Sequence, residues 1–315
     1  MALGSGYQRS MILLCSVRLG VFRGLAENPL RASELALKIG ADVSRLEILL
    51  GALVSLGLLS RAGSRYRLSG PAREFLLPGR RSQESILLHL MDCWDAWGNL
   101  TGKIRGGRKK RGGESGYQEN FIRGMGENSR ERAEAVARKF PLEDGERLLD
   151  LGGGPGTYAI AWAEAYPDAE IFLFDTPATL RVTRKILKEK GKERRVRLLQ
   201  GDFLKNLPVG SSYDFVWISQ ILHAYSVKDC VELFGKARVA LRPGGKAAVQ
   251  EFMVSENKTY PPGPVFFSVH MVAVTESGRT YTAKEIAAMM RKAGFRSIKA
   301  FPPDRSGVGI VQGTR

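Results

Sequence analysis

The chain has 315 residues, 43% of them hydrophobic, which is enough for two domains with a packed core. Cys15, Cys93 and Cys230 are odd in number, far apart and without metal-ligand spacing, so neither a disulfide framework nor a metal is expected and a reducing cytoplasm fits. A formal net charge of +16 invites a nucleic-acid partner, but the basic residues are dispersed, and the dense run Arg105-Gly-Gly-Arg-Lys-Lys-Arg111 has the glycines of a surface loop rather than a docking face.

The first apolar run, Met11 to Val17, is cut by Arg18, is too short for a membrane span and is followed by no small-residue cleavage site. It reads as part of an amphipathic helix over residues 8–26. A second helix is expected over Arg31 to Gly40, with Ser33 as N-cap and Gly40 as stop, and a third over Val43 to Leu56. Gly57-Leu-Leu-Ser and the alternating Arg65-Tyr-Arg-Leu68 add a short hairpin, which completes the element order of a winged helix. A DNA reader would show polar and basic side chains on the third helix. Here Leu46, Ile48, Leu49, Leu50, Leu53, Val54 and Leu56 cover most of its circumference, so it is expected to be buried on both sides, in a dimer rather than against DNA.

Residues 84–140 read as helical with an irregular middle that holds Trp94, Trp97 and the basic loop. Phe121, Met125 and Ser129 are four apart and share one helix face, the spacing of a core stripe.

From Arg147 the pattern changes to strand then helix, as in a mostly parallel sheet covered by helices. Arg147-Leu-Leu-Asp-Leu151 is an apolar strand carrying Asp150, and Gly152, Gly154 and Gly156 let the chain turn sharply and approach a ligand that a Cβ would push away. The spacing Asp-x-Gly-x-Gly-x-Gly lacks the third glycine of a dinucleotide turn, since Thr157 stands there, and favours S-adenosylmethionine over a nicotinamide cofactor. The next strand, Glu170 to Asp175, ends on an acid placed to accept from ribose hydroxyls. After Val196 to Gln200 come Asp202 and Phe203, an acid for the adenine amine and a ring for its face. Phe215 to Ile218 is a strand that runs into Ser219 and His223. Ser226-Val-Lys-Asp229 reads as a capping box opening a helix that ends at Arg242-Pro-Gly-Gly245. The strand Lys246 to Met253 carries Glu251 to the edge where His223 lies. Apolar helices over Val265 to Thr275 and Thr282 to Lys292 follow, and Ser297 to Phe301 with Gly307 to Val311 forms a closing hairpin.

His223 therefore stands at the carboxyl edge of the sheet, where open α/β sheets bind ligands, with Glu251 able to hold one imidazole nitrogen while the other faces a substrate. With an unperturbed pKa of about 6.5, histidine can take a phenolic proton as the oxygen attacks a sulfonium methyl.

Asp150-Leu-Gly-Gly-Gly-Pro-Gly156, Phe174-Asp-Thr-Pro177, Gly201-Asp-Phe203, Leu222-His223, Arg242-Pro-Gly-Gly245 and Glu251, taken together over nearly the whole chain, resemble the dimeric small-molecule O-methyltransferases that use S-adenosylmethionine, including plant caffeate and bacterial hydroxy-aromatic enzymes. The resemblance implies a Rossmann-like class I methyltransferase domain over residues 141–315, with a mostly parallel seven-stranded sheet and an antiparallel hairpin. It implies a winged-helix dimerisation domain over 1–85 and a helical segment over 86–140 that contributes to the substrate pocket. Ser129, Asp150, Gly152, Gly154, Asp175, Thr176, Asp202, Phe203 and Ser219 fall on cofactor positions, His223 on the general base and Glu251 on an acid that orients it. Phe121, Met125, His270, Met271 and Thr275 fall on substrate positions, in competition with the core-stripe reading. His270 is either a polar pocket group or a satisfied core histidine.

The chain also departs from the family. Thr280 stands where a second orienting acid is expected, with Glu276 as the candidate replacement, and Ser219 stands where many plant members have a basic residue. Methylation of nitrogen, sulfur or carbon on the same scaffold, and a DNA-binding regulator that senses a nucleoside, are the alternatives to a cytoplasmic homodimeric enzyme acting on a small aromatic hydroxyl.

Overall fold

A computed structural model of the chain describes residues 3–79, 81–106, 115–205 and 212–315, so most of the basic run, residues 107–111, lies outside the described residues. The chain divides into two compact units, Met1–Trp94 with Glu114–Asn128, and Asp95–Gly113 with Ser129–Arg315.

In the first unit, α1 (Tyr7–Arg18) and α2 (Val21–Gly24) replace the single helix expected over residues 8–26. Gly20 separates them in the left-handed region at φ 76°, which a continuing helix cannot contain. β1 (Leu30–Arg31), α3 (Ala32–Ile39), α4 (Val43–Ser55), β2 (Leu59–Ala62) and β3 (Arg65–Leu68) follow, with β3 antiparallel between β1 and β2. The N-cap of α3 is Arg31, not Ser33, because the Glu34 carboxylate reaches back to accept from Arg31 N–H at 2.7 Å. Gly40 ends α3 at φ 68°, as expected, and Asp42 caps α4 by accepting from Arg45 N–H at 2.9 Å. Leu35, Leu50 and Leu53 are fully buried in this unit's core. Within a single chain α4 is buried on one face, and Ile48 is 76% exposed.

α5 (Gly70–Phe75) and α6 (Glu84–Asp92) complete this unit together with the first half of α9 (Ser115–Lys139). At Gly124 a Cβ would lie 2.8 Å from Ile86 Cα, so only glycine permits this approach of α9 to α6. Between α6 and α9 lie α7 (Trp94–Gly98) and α8 (Leu100–Ile104), the irregular middle expected from sequence.

The second unit is a seven-stranded sheet in the order β6-β5-β4-β7-β8-β10-β9. It is assembled from β4 (Arg147–Leu151), α10 (Thr157–Ala165), β5 (Glu170–Asp175), α11 (Pro177–Glu189), β6 (Val196–Gln200), β7 (Tyr213–Ser219), α12 (Val227–Ala240), β8 (Leu241–Phe252), α13 (Pro262–Val274), α14 (Ala283–Lys292), β9 (Arg296–Phe301) and β10 (Val308–Thr314). The strands from β6 to β8 pair in parallel, while β10 runs antiparallel to both neighbours, which is the expected closing hairpin. Fully buried Trp162 and Trp217 fill the layer beneath α9 and α10, and Phe234, Ile286 and Met290 fill the opposite layer beneath α12 and α14. Chain order reverses between β4 and β7, the point at which open α/β sheets form a ligand crevice. The capping box of α12 forms as read from sequence: Ser226 Oγ accepts from Asp229 N–H at 3.3 Å and Asp229 accepts from Ser226 N–H at 3.2 Å. No described helix is long and apolar enough to cross a membrane.

Candidate active site

At the end of β4, Gly152, Gly154 and Gly156 all adopt left-handed backbone, at φ 70°, 52° and 78°, and Gly156 caps the start of α10. A Cβ at Gly152 would overlap the Ile221 side chain, whereas a Cβ at Gly154 would meet nothing within 4 Å. The turn therefore packs tightly at one glycine and opens at the next. Asp175, at the end of β5, is tied to this turn. Its Oδ2 accepts from Gly154 N–H at 2.9 Å and its Oδ1 from Thr176 N–H at 2.7 Å. Burial raises the Asp175 pKa above the usual carboxylate range, and these two N–H donors oppose the shift. Thr176 in turn caps α11 by accepting from Thr179 N–H. Asp150 is 1% exposed and points to the start of α10, where Oδ2 accepts from Ala159 N–H at 3.2 Å. Burial pushes its pKa up to about 7, with a smaller upward push from Asp175.

Past β6, Asp202 accepts from Leu204 N–H at 3.0 Å, with its side chain 41% exposed. Phe203 is buried, edge-on to Tyr225 at 5.5 Å, and 3.6 Å from where a Gly152 Cβ would stand, so it backs the glycine turn.

The other half of the edge is built where β7 and β8 end. Ser219 Oγ donates to Gln250 Oε1 at 3.2 Å, and Gln220 follows with left-handed backbone at φ 58°. Both polar atoms of the Gln220 amide are buried without a partner. A 3-10 turn then carries His223, and Glu251 grips it twice: Oε1 accepts from Leu222 N–H at 2.7 Å and Oε2 lies 2.8 Å from His223 Nδ1. A buried carboxylate bonded to Nδ1 keeps the proton on that nitrogen and leaves the lone pair on Nε2. The Phe267 ring of α13 meets the imidazole at a centroid distance of 4.8 Å in a T-shaped arrangement.

The O-methyltransferase domain model matches residues 108–296, and the O-methyltransferase dimerisation domain model matches residues 1–77. The chain belongs to the O-methyltransferase family. Acetylserotonin O-methyltransferase of Mus musculus is 32% identical over 331 residues, covering 96% of this chain and 84% of the relative. The 3-hydroxy-5-methyl-1-naphthoate 3-O-methyltransferase of Streptomyces sahachiroi is 26% identical, covering 97% and 92%. Human N-acetylserotonin methyltransferase, solved in complex with S-adenosylmethionine, shares the fold at a TM-score of 0.87 and 24% identity, with 100% of this chain and 96% of that one covered.

The methyltransferase uses S-adenosylmethionine, and the residues at the sheet edge fit that cofactor. The glycine turn is open at Gly154, Asp175 retains acceptor capacity beside it, and the unpartnered Gln220 amide offers two donors and an acceptor. Gln220 escaped the sequence reading because its signal is an unsatisfied amide in a strained backbone, visible only once the strands are assembled.

Other expected site residues are distributed more widely. Ser129 lies on α9 in the second unit, and Phe121 and Met125 lie on α9 in the first, with the Phe121 ring 4.9 Å from that of His89. Met271 is buried on α13. Thr275 closes that helix, donating to Met271 O at 2.7 Å and accepting from Gly278 N–H at 2.9 Å. His270 Nδ1 accepts from the Trp97 indole N–H at 2.9 Å, and the two rings stack. Thr280 is buried and its N–H donates to Ser268 Oγ, while Glu276 is exposed. Among the described residues Glu251 is the one carboxylate bonded to His223.

Proposed function

We propose that this methyltransferase moves the methyl group of S-adenosylmethionine to a hydroxyl of a small aromatic or heteroaromatic molecule, with His223 as general base. The observation that carries the reading is the His223–Glu251 pair at the carboxyl edge of β7 and β8, 2.8 Å apart and beside the glycine turn. The acetylserotonin and hydroxynaphthoate relatives, both named for aromatic hydroxyl acceptors, support the substrate class.

When bound, S-adenosylmethionine supplies an electrophilic methyl on a positively charged sulfur. His223 Nε2 would take the proton of the acceptor hydroxyl, and Glu251 would balance the charge that the ring then carries. Asp175 and Thr176 hold the ribose, Asp202 and Phe203 the adenine, and Ser129 and Ser219 the amino-acid end. Gly152 and Gly154 allow close approach, and Asp150 supports the turn from beneath. His270, Met271 and Thr275 of the second unit shape the acceptor site. Residues 1–85 form the homodimer, 86–140 contribute to the pocket and 141–315 bind the cofactor, a division supported by the dimerisation-domain match at residues 1–77.

The test is turnover of a panel of hydroxy-aromatics with the acceptor atom assigned by mass and NMR. Methyl on a phenolic oxygen supports the reading; methyl on nitrogen, sulfur or carbon alone refutes it.

A further inference from the structure

Within the second unit, a chain of polar groups crosses the layer between the sheet and α10 and ends at Ser219. Gln250, on β8, is 2% exposed, and Tyr158, on α10, is 6% exposed. Their neighbours in this layer, Trp162, Trp217 and Ala248, are apolar and fully buried, so a hydrocarbon side chain in place of Gln250 would satisfy packing alone. A buried amide is costly unless bonded, and this one is bonded on the side that leads to the cofactor edge.

The direction of both bonds to Gln250 is fixed. Gln250 Oε1 accepts from the Tyr158 hydroxyl and from Ser219 Oγ, and an amide oxygen has no proton to give. Burial pushes the Tyr158 pKa up to about 12, so the phenol remains a donor at any working pH. Arg132 bonds to Tyr158 from α9 and is itself anchored by Ser306 Oγ at 2.9 Å and Asp304 at 3.5 Å, in the β9–β10 turn. Ser219 Oγ also bonds the Tyr158 hydroxyl, so its single proton is engaged inward by the Tyr158–Gln250 pair and lone pairs are left for a ligand.

The sheet order says which end of the cofactor reaches Ser219. With adenine at Asp202 past β6 and ribose at Asp175 on β5, a ligand laid across β4 arrives at β7 with its amino-acid end. We propose that Tyr158 and Gln250 are positioning residues that hold the Ser219 hydroxyl as a hydrogen-bond acceptor for the α-ammonium group of the cofactor. The inference rests on the cofactor reading given above and adds how the amino group is recognised without a charged side chain at this position.

Calorimetric titration of the full chain with S-adenosylhomocysteine, and with its analogue lacking the α-amino group, tests the assignment. The unmodified protein should bind S-adenosylhomocysteine about 10- to 100-fold more tightly than the analogue, the range of a charge-assisted hydrogen bond. Ser219→Ala should reduce that ratio by about tenfold, and Gln250→Leu and Tyr158→Phe by about threefold each, through weaker binding of the amino-bearing ligand alone. Tyr158→Phe keeps the ring in place and covers the case in which Gln250→Leu does not fold. Parallel loss of affinity for both ligands, or an unchanged ratio in Ser219→Ala, would assign the three residues to packing and overturn the proposal. No binding of S-adenosylhomocysteine to the unmodified protein would instead remove the cofactor reading beneath it.

Discussion

Glu251 gives one carboxylate oxygen to the His223 ring and the other to the backbone that carries it, with Oε2 2.8 Å from Nδ1 and Oε1 2.7 Å from Leu222 N. One buried acid therefore fixes both where the imidazole sits and which nitrogen carries its proton. His223→Ala should lower kcat by about 100- to 10,000-fold, the usual worth of a general base. Glu251→Gln should lower it by about 10- to 100-fold, since the amide oxygen can still accept from Nδ1–H but no longer neutralises the protonated ring. Both variants should bind S-adenosylhomocysteine as before. Single-turnover rates and calorimetry check this, and unchanged turnover in His223→Ala would end the base assignment.

Gly278 packs directly against the same turn. A Cβ there would overlap the His223 carbonyl oxygen and Thr275 Oγ1 and lie 3.2 Å from Ala224 Cα, so Gly278→Ala forces its own segment and the histidine-bearing backbone apart. A displacement of a few tenths of an ångström should cost about tenfold in kcat, because effects of about 100-fold accompany misplacements near 1 Å. Cofactor affinity should change by less than about twofold if the displacement stays local. Equal losses in kcat and in affinity would show that Gly278 supports the sheet edge more widely.

What could be read from the sequence was what depends on local chemistry. The glycines after β4, the acid ending β5, the capping box at Ser226 and the pairing of His223 with Glu251 each follow from residue type and spacing, and each forms as expected. The readings that changed depended on a competing local force or on packing. Gly20 broke a helix whose apolar pattern ran through it, and Glu34 moved the N-cap of α3 from Ser33 to Arg31. Gln250 read as an interior strand residue, and its bonds to Tyr158 and Ser219 join three separate elements that no local pattern links. The indole of Trp97 was likewise not expected to reach His270, 173 residues away.

Asp150 makes stability depend on pH in an unusual direction. Its folded pKa of about 7 lies above the ordinary 3.8, because burial disfavours the charged carboxylate. From about pH 4 to 7 the unfolded chain has released this proton while the folded chain retains it, so stability falls as pH rises through that window and levels off above it. Asp150→Asn keeps an oxygen for Ala159 N–H and removes the titration. Relative to the unmodified protein it should gain stability between pH 5 and pH 8, by at most about 3 kcal/mol at 1.36 kcal/mol per pKa unit over the roughly two units from pH 5 to the folded pKa. Denaturant unfolding at both pH values measures the difference, and an equal effect of the substitution at both would show that Asp150 is ionised throughout.

The exposed face of α4 bears on self-association. Ile48 is 76% exposed and Val43 43%, and Leu37 on the preceding helix is 89% exposed, within residues that match a dimerisation domain. Isolated exposed aliphatics are common on monomers, but Ile48, opposite the buried stripe of Leu46, Leu50 and Leu53, is a large apolar side chain within a domain that matches a dimerisation model, which points to its burial by a second copy. A two-fold interface uses the same residue twice, so each substitution acts twice per dimer. Burying an isoleucine contributes about 1.5 to 3 kcal/mol, and placing a carboxylate there adds a desolvation cost, so Ile48→Glu should weaken the dimer by at least about 100-fold. Sedimentation velocity across a concentration series reads this directly, with the fold of each variant followed by circular dichroism. If Ile48→Glu and Leu37→Glu both sediment as the unmodified protein does, the dimer surface lies elsewhere in the first unit.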